Sequence, residues 1–248
     1  MAKPSHLKDV IPLLLALLII ILLVICWKYW NNNDVEGYES NPIDKIDGVV
    51  YINLENREDR KKLIKEEMDK MGIPEDKINK VSGVFIPKNG HKGNVQSFIL
   101  ALNLAKMNNW DTVLLLEDDA KLIVSPEEFK RKLNDMFNYL NNKEWDVIML
   151  GQAYGKKVDT NNKNIKKISG ATTKTAIIIK SHYYNKLLNN FNSSNDLMLS
   201  HKKTEDKYEK YASDQRWRDL QETGNWYSFT DDIVKQGNIW SSTMKYSY

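Results

Sequence analysis

The chain of 248 residues has a single cysteine, Cys26, and it lies inside an apolar run. The remainder therefore has no disulfide, a condition common in cytosolic proteins and permitted in luminal ones. Internal repeats and long low-complexity tracts are absent, which excludes solenoid and fibrous architectures. No His/Cys pattern has zinc spacing, no G-x-x-x-x-G-K-[ST] phosphate loop occurs, and no G-x-S-x-G elbow is present. Charge of one sign is also scarce. With 36 Lys and Arg against 33 Asp and Glu, the formal net charge is only +3. No basic block or basic-aromatic stripe stands out, so nucleic acid is not an expected partner.

What is present begins with an uncharged run, VIPLLLALLIIILLVICW, from Val10 to Trp27. At ~1.5 Å per residue it just spans a ~30 Å hydrocarbon core. It is longer than a secretory h-region and no A-x-A-like cleavage site follows it. Trp27, Tyr29 and Trp30 would form an interfacial belt. The expected organisation is a short cytoplasmic N-terminus at 1–9, a transmembrane signal anchor at 10–30, a flexible stem at 31–45 and a catalytic domain at 46–248. Lys3 and Lys8 precede the run, and Lys28 follows it before Asp34 and Glu36. The positive-inside rule then favours a single-pass type II membrane protein with the domain luminal or external, a cytosolic orientation being the alternative. Asn192-Ser193-Ser194 is a glycosylation sequon, which would suit a luminal domain.

In the body, apolar runs alternate with helical patterns. GVVYINL, KINKVSGV, TVLLL, DVIMLG and TKTAIIIK read as strands. REDRKKLIKEEMDKMG reads as an amphipathic helix with Leu63, Met68 and Met71 inward, stopped by Gly72 and Pro74. GNVQSFILALNLAKMNN places Val95, Phe98, Leu102 and Ala105 on one face. SPEEFKRKLNDMFNYLNN opens with Ser125 as N-cap, Pro126 at the first helical position and Glu128 closing a capping box. SHYYNKLLNNF is a further helix. Continuous apolar strands imply a sheet covered on both faces, hence an α/β fold with a mostly parallel sheet and flanking helices. Ligands of such sheets lie beyond the carboxyl ends of the strands.

At such an end stand Glu117, Asp118 and Asp119, in LLLEDDA. Strand alternation would send Glu117 and Asp119 to one side and Asp118 to the other. Crowded carboxylates repel and lose hydration, and a divalent cation relieves both costs. Mg²⁺ takes one or two carboxylates plus substrate phosphates, so the cluster suits a metal holding a diphosphate. The alternative is a solvated turn that simply ends the strand.

LLLEDDA resembles the metal motif of glycosyltransferase family 25, which includes lipooligosaccharide and procollagen galactosyltransferases. Other segments follow in that family's order. VYINLENREDR resembles its opening strand and Arg-containing turn. KGNVQSF stands where the family has G-C-x-x-S-H, with Gly93 and Ser97 matching, Asn94 for Cys and Phe98 for His. EWDVIMLG resembles W-D-x-x-x-x-G. TKTAIIIKSHYYNKLL resembles T-x-A-Y-x-I-S, with Ala176-Ile177 lacking the Tyr. YASDQRW lies where the family has an Asp, and DIVKQGNIWSST resembles the closing segment with Gln236 and a Ser pair. The resemblance covers about Val49 to Thr243. It implies a GT-A, Rossmann-like domain that uses a UDP-sugar and Mn²⁺ (or Mg²⁺), and that moves galactose or glucose, with inversion, to a hydroxyl of a glycan, lipid or protein.

On that reading Glu117 and Asp119 hold the metal, while Asn53, Arg57, Arg60, Gly93, Ser97 and Asp118 bind the nucleotide sugar. Asp214 is the candidate base for the acceptor hydroxyl. Each has a plainer alternative. Arg57 and Arg60 would be solvated helix residues, Asn53 a turn residue, and Asp214 a helix N-cap. Trp217, Trp226, Tyr227 and Trp240 either stack on a sugar or fill the core. His91, His182 and His201 read as surface residues, with His91 or His201 an extra metal ligand as the alternative. Besides a glycosyltransferase anchored through its N-terminal helix, two functions fit: a catalytically silent GT-A-like sugar-binding or scaffold protein, and a metal-dependent phosphohydrolase.

Overall fold

The structure is a computed structural model and describes residues 6–32, 41–200 and 210–237. Two compact units divide the chain, residues 1–40 and residues 41–248. The first holds helix α1 (His6–Asn32), with Pro12 inside it. Among the described residues no helix is long and apolar enough to cross a membrane. The expected transmembrane anchor at 10–30, and the single-pass type II membrane localisation built on it, are corrected accordingly. Most of the 1–9 segment and of the 31–45 stem lies outside the described residues.

The second unit begins at Asn41, whose side-chain oxygen accepts from Ile43 N at 3.3 Å. A 3-10 turn over Pro42–Lys45 follows, with Ile43 fully buried. Next in order come β1 (Gly48–Asn53), α2 (Glu58–Lys70), β2 (Ile78–Ser82), α3 (Gly90–Met107), β3 (Thr112–Glu117), β4 (Ala120–Leu122) and α4 (Pro126–Leu140). After these come β5 (Val147–Met149), β6 (Lys156–Asp159), β7 (Ile165–Ser169), β8 (Ala176–Lys180) and α5 (Tyr184–Ser200). Two short helices, Ser213–Arg216 and Arg218–Thr223, precede β9 (Trp226–Phe229) and β10 (Val234–Gln236).

The main sheet has eight strands in the order β2-β1-β3-β8-β5-β9-β7-β6. Strands β2, β1 and β3 are mutually parallel, and β5 pairs β9 in parallel. β8 runs against both of its neighbours, β3 and β5, and β7 runs against β9 and β6. Most strands thus share one direction, and β7 and β8 oppose it. Side chains alternate into two cores. Val49, Tyr51, Leu114 and Leu116 pack with Ile64 and Met68 of α2 and Phe129 and Leu133 of α4. Val50, Ile52, Val113 and Leu115 pack with Phe98 and Leu102 of α3 and Leu187 and Phe191 of α5. Helices on both faces explain why these strands are apolar without alternation.

Local chemistry sets the element ends. Ser125 Oγ accepts from Glu128 N at 3.1 Å, the expected cap of α4. Gly72, at φ +70°, takes the chain out of α2 in a left-handed conformation that glycine adopts freely. Val95, Phe98, Leu102 and Ala105 are all buried, as their spacing predicts. In α2 the inward residue is Ile64 rather than Leu63, which is 40% exposed; Met68 and Met71 point inward as expected.

Candidate active site

β1 and β3 are parallel neighbours, so their carboxyl ends bring Asn53 and Glu117 to one edge of the sheet. β8 is antiparallel and presents its amino end there. Glu117 N donates to Thr175 O at 2.9 Å, which fixes that junction. The strand stops at Glu117, and so does its alternation. Asp118 and Asp119 lie in a turn, and both reach Arg60 Nη1, Asp118 Oδ1 at 2.6 Å and Asp119 Oδ2 at 3.4 Å. The expected arrangement, with Asp118 alone on the opposite side, is therefore corrected.

The cluster is tightly bonded. Asn53 Nδ2 donates to Asp118 Oδ2 at 2.9 Å and to the Arg57 carbonyl at 3.1 Å. Gln236 Nε2 donates to Asp119 Oδ2 at 3.1 Å, and Gly237 N to the Asp119 carbonyl at 2.7 Å. Asn94 Nδ2 donates to Glu117 Oε1 at 2.8 Å. Asn53, Arg60, Asp118 and Asp119 are all buried. One carboxylate oxygen among them, Asp119 Oδ1, is buried without a hydrogen-bond partner.

A pocket opens over this floor, enclosing about 700 Å³ including its solvent-open mouth. Arg60, Asn94, Ser97, Glu117, Asp118, Asp119 and Gln236 supply its polar lining. Ile52, Leu54 and the loop Gly83–Ile86 supply its apolar wall. Gly93 and Ser97 shape that loop. A Cβ on Gly93 would meet the Val84 carbonyl oxygen at 2.2 Å, and Ser97 Oγ accepts from Val84 N at 2.8 Å.

Burial and the adjacent Asp119 charge push the Glu117 carboxyl up to about 7; the Lys174 ammonium and the Asn94 bond pull it down. Burial also raises Asp119, against the bond from Gln236 and the charge of Arg60. A site that resists ionisation of its own carboxylates is one that gains from an added cation. Among the described residues, no group of three or more His, Cys, Asp or Glu is placed to hold a metal ion.

The other sequence candidates fall as follows. Arg57 is bonded to Asp59 through both Nε and Nη2, at 2.9 and 2.8 Å, and that pairing raises its own pKa and lowers Asp59 to about 2. Asp214 caps no helix through its side chain. Its Oδ2 accepts from Thr173 N at 3.2 Å, and its charge reaches Glu117. Trp217, Trp226 and Tyr227 are buried in the cores. Phe98 is buried against Phe191, with ring centroids 6.3 Å apart. His182 pairs with Asp146 near the surface at 2.8 Å, and His91 is half-buried at the start of α3. His201, Trp240 and the Ser pair lie outside the described residues. Lys174, whose charge reaches Glu117, was not legible from the sequence, because a lone lysine before an apolar strand carries no motif.

No protein-family model matches the chain, so membership of glycosyltransferase family 25 is not shown. No curated protein matches it either. Among solved structures the chain is similar to a mannose-1-phosphate geranyltransferase from Thermus thermophilus, at TM-score 0.45 and 12% identity over 76% of each chain. It is similar to A197 from STIV, at TM-score 0.41 and 14% identity, over 79% of this chain and 97% of that one. A glycosyltransferase involved in glycosylation of the major capsid of PBCV-1 gives TM-score 0.40 and 7% identity, over 81% and 96%. At such low scores and identities, the chain's chemistry is read from its own site.

Proposed function

We propose that the chain is a glycosyltransferase that takes a sugar, galactose or glucose, from a UDP-sugar and passes it with inversion to a hydroxyl of a glycan, lipid or protein. The observation that carries this reading is the floor of the pocket. Three carboxylates and Arg60 converge at the carboxyl ends of two parallel strands, beneath a wall suited to a base. The ordered resemblance to family 25 agrees with it.

Leu54, Phe85 and Ile86 offer apolar surface to the base, and Gly93 and Ser97 hold that wall in place. Arg60 is committed to Asp118 and Asp119, so its role is to fix the carboxylates rather than to grip phosphate. Asn53 does the same for Asp118. Glu117 and Asp119 would hold Mn²⁺ or Mg²⁺. The unpartnered Asp119 Oδ1 and the raised pKa of both groups fit a cation whose remaining ligands are phosphate oxygens. When bound, the metal supplies Lewis-acid neutralisation of the departing diphosphate. Arg57 reaches a phosphate only by exchanging Asp59 for it. Asp214, held by Thr173 N beside Glu117, is the candidate to take the acceptor proton.

The test is Asp119→Asn. The variant is expected to keep its fold, read by circular dichroism, and to lose Mn²⁺-dependent UDP release from UDP-galactose and UDP-glucose. Wild-type activity in Asp119→Asn overturns the metal assignment. A second reading, a silent sugar-binding relative, is favoured by the internal pairing of Asp118 and Asp119 with Arg60 and Gln236. It is separated by donor binding without turnover in the wild type.

A further inference from the structure

Lys174 stands just before β8 and is only 5% exposed. Its ammonium lies 4.9 Å from the centroid of the Phe98 ring and 5.9 Å from that of Trp217. Among the described residues it has no hydrogen-bond or ion-pair partner. The stem is buried, and the ammonium, with little access to water, is compensated in part by two aromatic faces. The backbone around it is held firmly. Thr172 exchanges two backbone bonds with Ala153, Thr173 sits at φ +78° with its N–H on Asp214, and Thr175 O receives Glu117 N. A clamped segment with a residue at positive φ, holding a cation within electrostatic reach of a carboxylate, is an expected feature of a binding site.

Its place in the sheet indicates the ligand. The pocket lies over β1, β3 and the loop after β2, and β8 is the next strand beyond β3. Glu117 N bonds to Thr175 O, so the amino end of β8 adjoins the carboxylates, and phosphates placed over Glu117 and Asp119 would lie on that side of the pocket. Lys174 is within electrostatic reach of Glu117, whose ionised form it favours. Arg60 is already bonded to two carboxylates, and Arg57, whose charge also reaches Asp118 and Asp119, is bonded to Asp59.

We propose that Lys174 is a phosphate-binding group, its ammonium donating to the diphosphate of the nucleotide on the β8 side of the carboxylates. This rests on the nucleotide-sugar reading of the site. A compact ammonium with three donors suits phosphate oxygens, and the phosphate supplies the acceptors that the folded chain does not.

The experiment is calorimetric titration of the full chain, as wild type, Lys174→Met and Lys174→Arg, with UDP, inorganic pyrophosphate and uridine in Mn²⁺ buffer. UDP and pyrophosphate are expected to bind Lys174→Met at least tenfold more weakly, and Lys174→Arg to an intermediate extent. Uridine affinity is expected to stay unchanged, and the melting temperature of ligand-free Lys174→Met to equal or exceed the wild type's. Unchanged UDP affinity in Lys174→Met, or equal weakening of UDP and uridine, overturns the proposal. Should Lys174→Met fail to fold, Lys174→Gln carries the same comparison. If pyrophosphate binding depends on Lys174 but no UDP-sugar binds the wild type, the glycosyltransferase reading fails and the phosphate site stands. If UDP-sugars bind and turn over in Lys174→Met as in the wild type, the reverse holds. A wild type that binds neither UDP nor pyrophosphate refutes both.

Discussion

Glu117→Gln isolates the cost of the carboxylate floor. The Glu117 carboxyl is raised from 4.5 to about 7 by burial and by Asp119. A raised folded pKa means that the native state binds the proton more tightly than the unfolded chain. This contribution to stability is complete below pH 4.5 and is lost as pH rises through about 7. The shift corresponds to roughly 3 kcal/mol at ~1.36 kcal/mol per unit. Glu117 keeps some contact with solvent, so about 2 kcal/mol is the working figure. Gln cannot ionise, and its amide oxygen can still accept from Asn94 Nδ2. Without metal, Glu117→Gln should therefore match the wild type near pH 4.5 and exceed it at pH 8 by about 2 kcal/mol, or roughly 4–8 °C in a domain of this size. Urea unfolding in EDTA at both pH values measures the difference. A Glu117→Gln effect that does not change with pH, or that destabilises more at pH 8 than at pH 4.5, refutes the reasoning.

Other expected outcomes follow from the same geometry. Arg60→Ala strands two buried carboxylates and should cost about 3–5 kcal/mol in urea unfolding, whereas an exposed change such as Lys65→Ala should be near neutral. Gly93→Ala drives a Cβ into the Val84 carbonyl, so UDP affinity by calorimetry should fall, together with a loss of stability. Ser97→Ala removes the acceptor of Val84 N and should cost about 1–3 kcal/mol. Mn²⁺ should raise the wild-type melting temperature more at pH 8 than at pH 5.5, since proton and metal compete for Glu117 and Asp119.

Much of the fold could be read from the residues. The apolar runs of β1, β3, β5 and β8, the buried face of α3 and the Ser125 cap each have a local cause, and each is found in place. The direction of β8 had no such signal, because AIIIK, buried on both faces, looks alike in parallel and antiparallel pairing. β6 was missed for the opposite reason. Its residues Lys156–Asp159 are exposed throughout, a charged edge strand with no apolar alternation. At the site, LLLEDDA marked the carboxylates, and Arg60 and Asn53 were found touching them. Their mutual pairing was hidden, since it depends on a turn that breaks the strand period after Glu117. Lys174 was hidden altogether, because its burial comes from Phe98 and Trp217, far away in the chain.

The most direct test titrates the full chain with UDP-galactose and UDP-glucose, with and without Mn²⁺, following thermal unfolding and released UDP. Mass action requires a ligand of the native state to raise stability. A Mn²⁺-dependent rise with one of the two sugars, accompanied by UDP release that Asp119→Asn abolishes, is the expected result. No shift with either sugar at millimolar concentration would contradict the central claim and leave Glu117, Asp118 and Asp119 as a paired turn at the end of a strand.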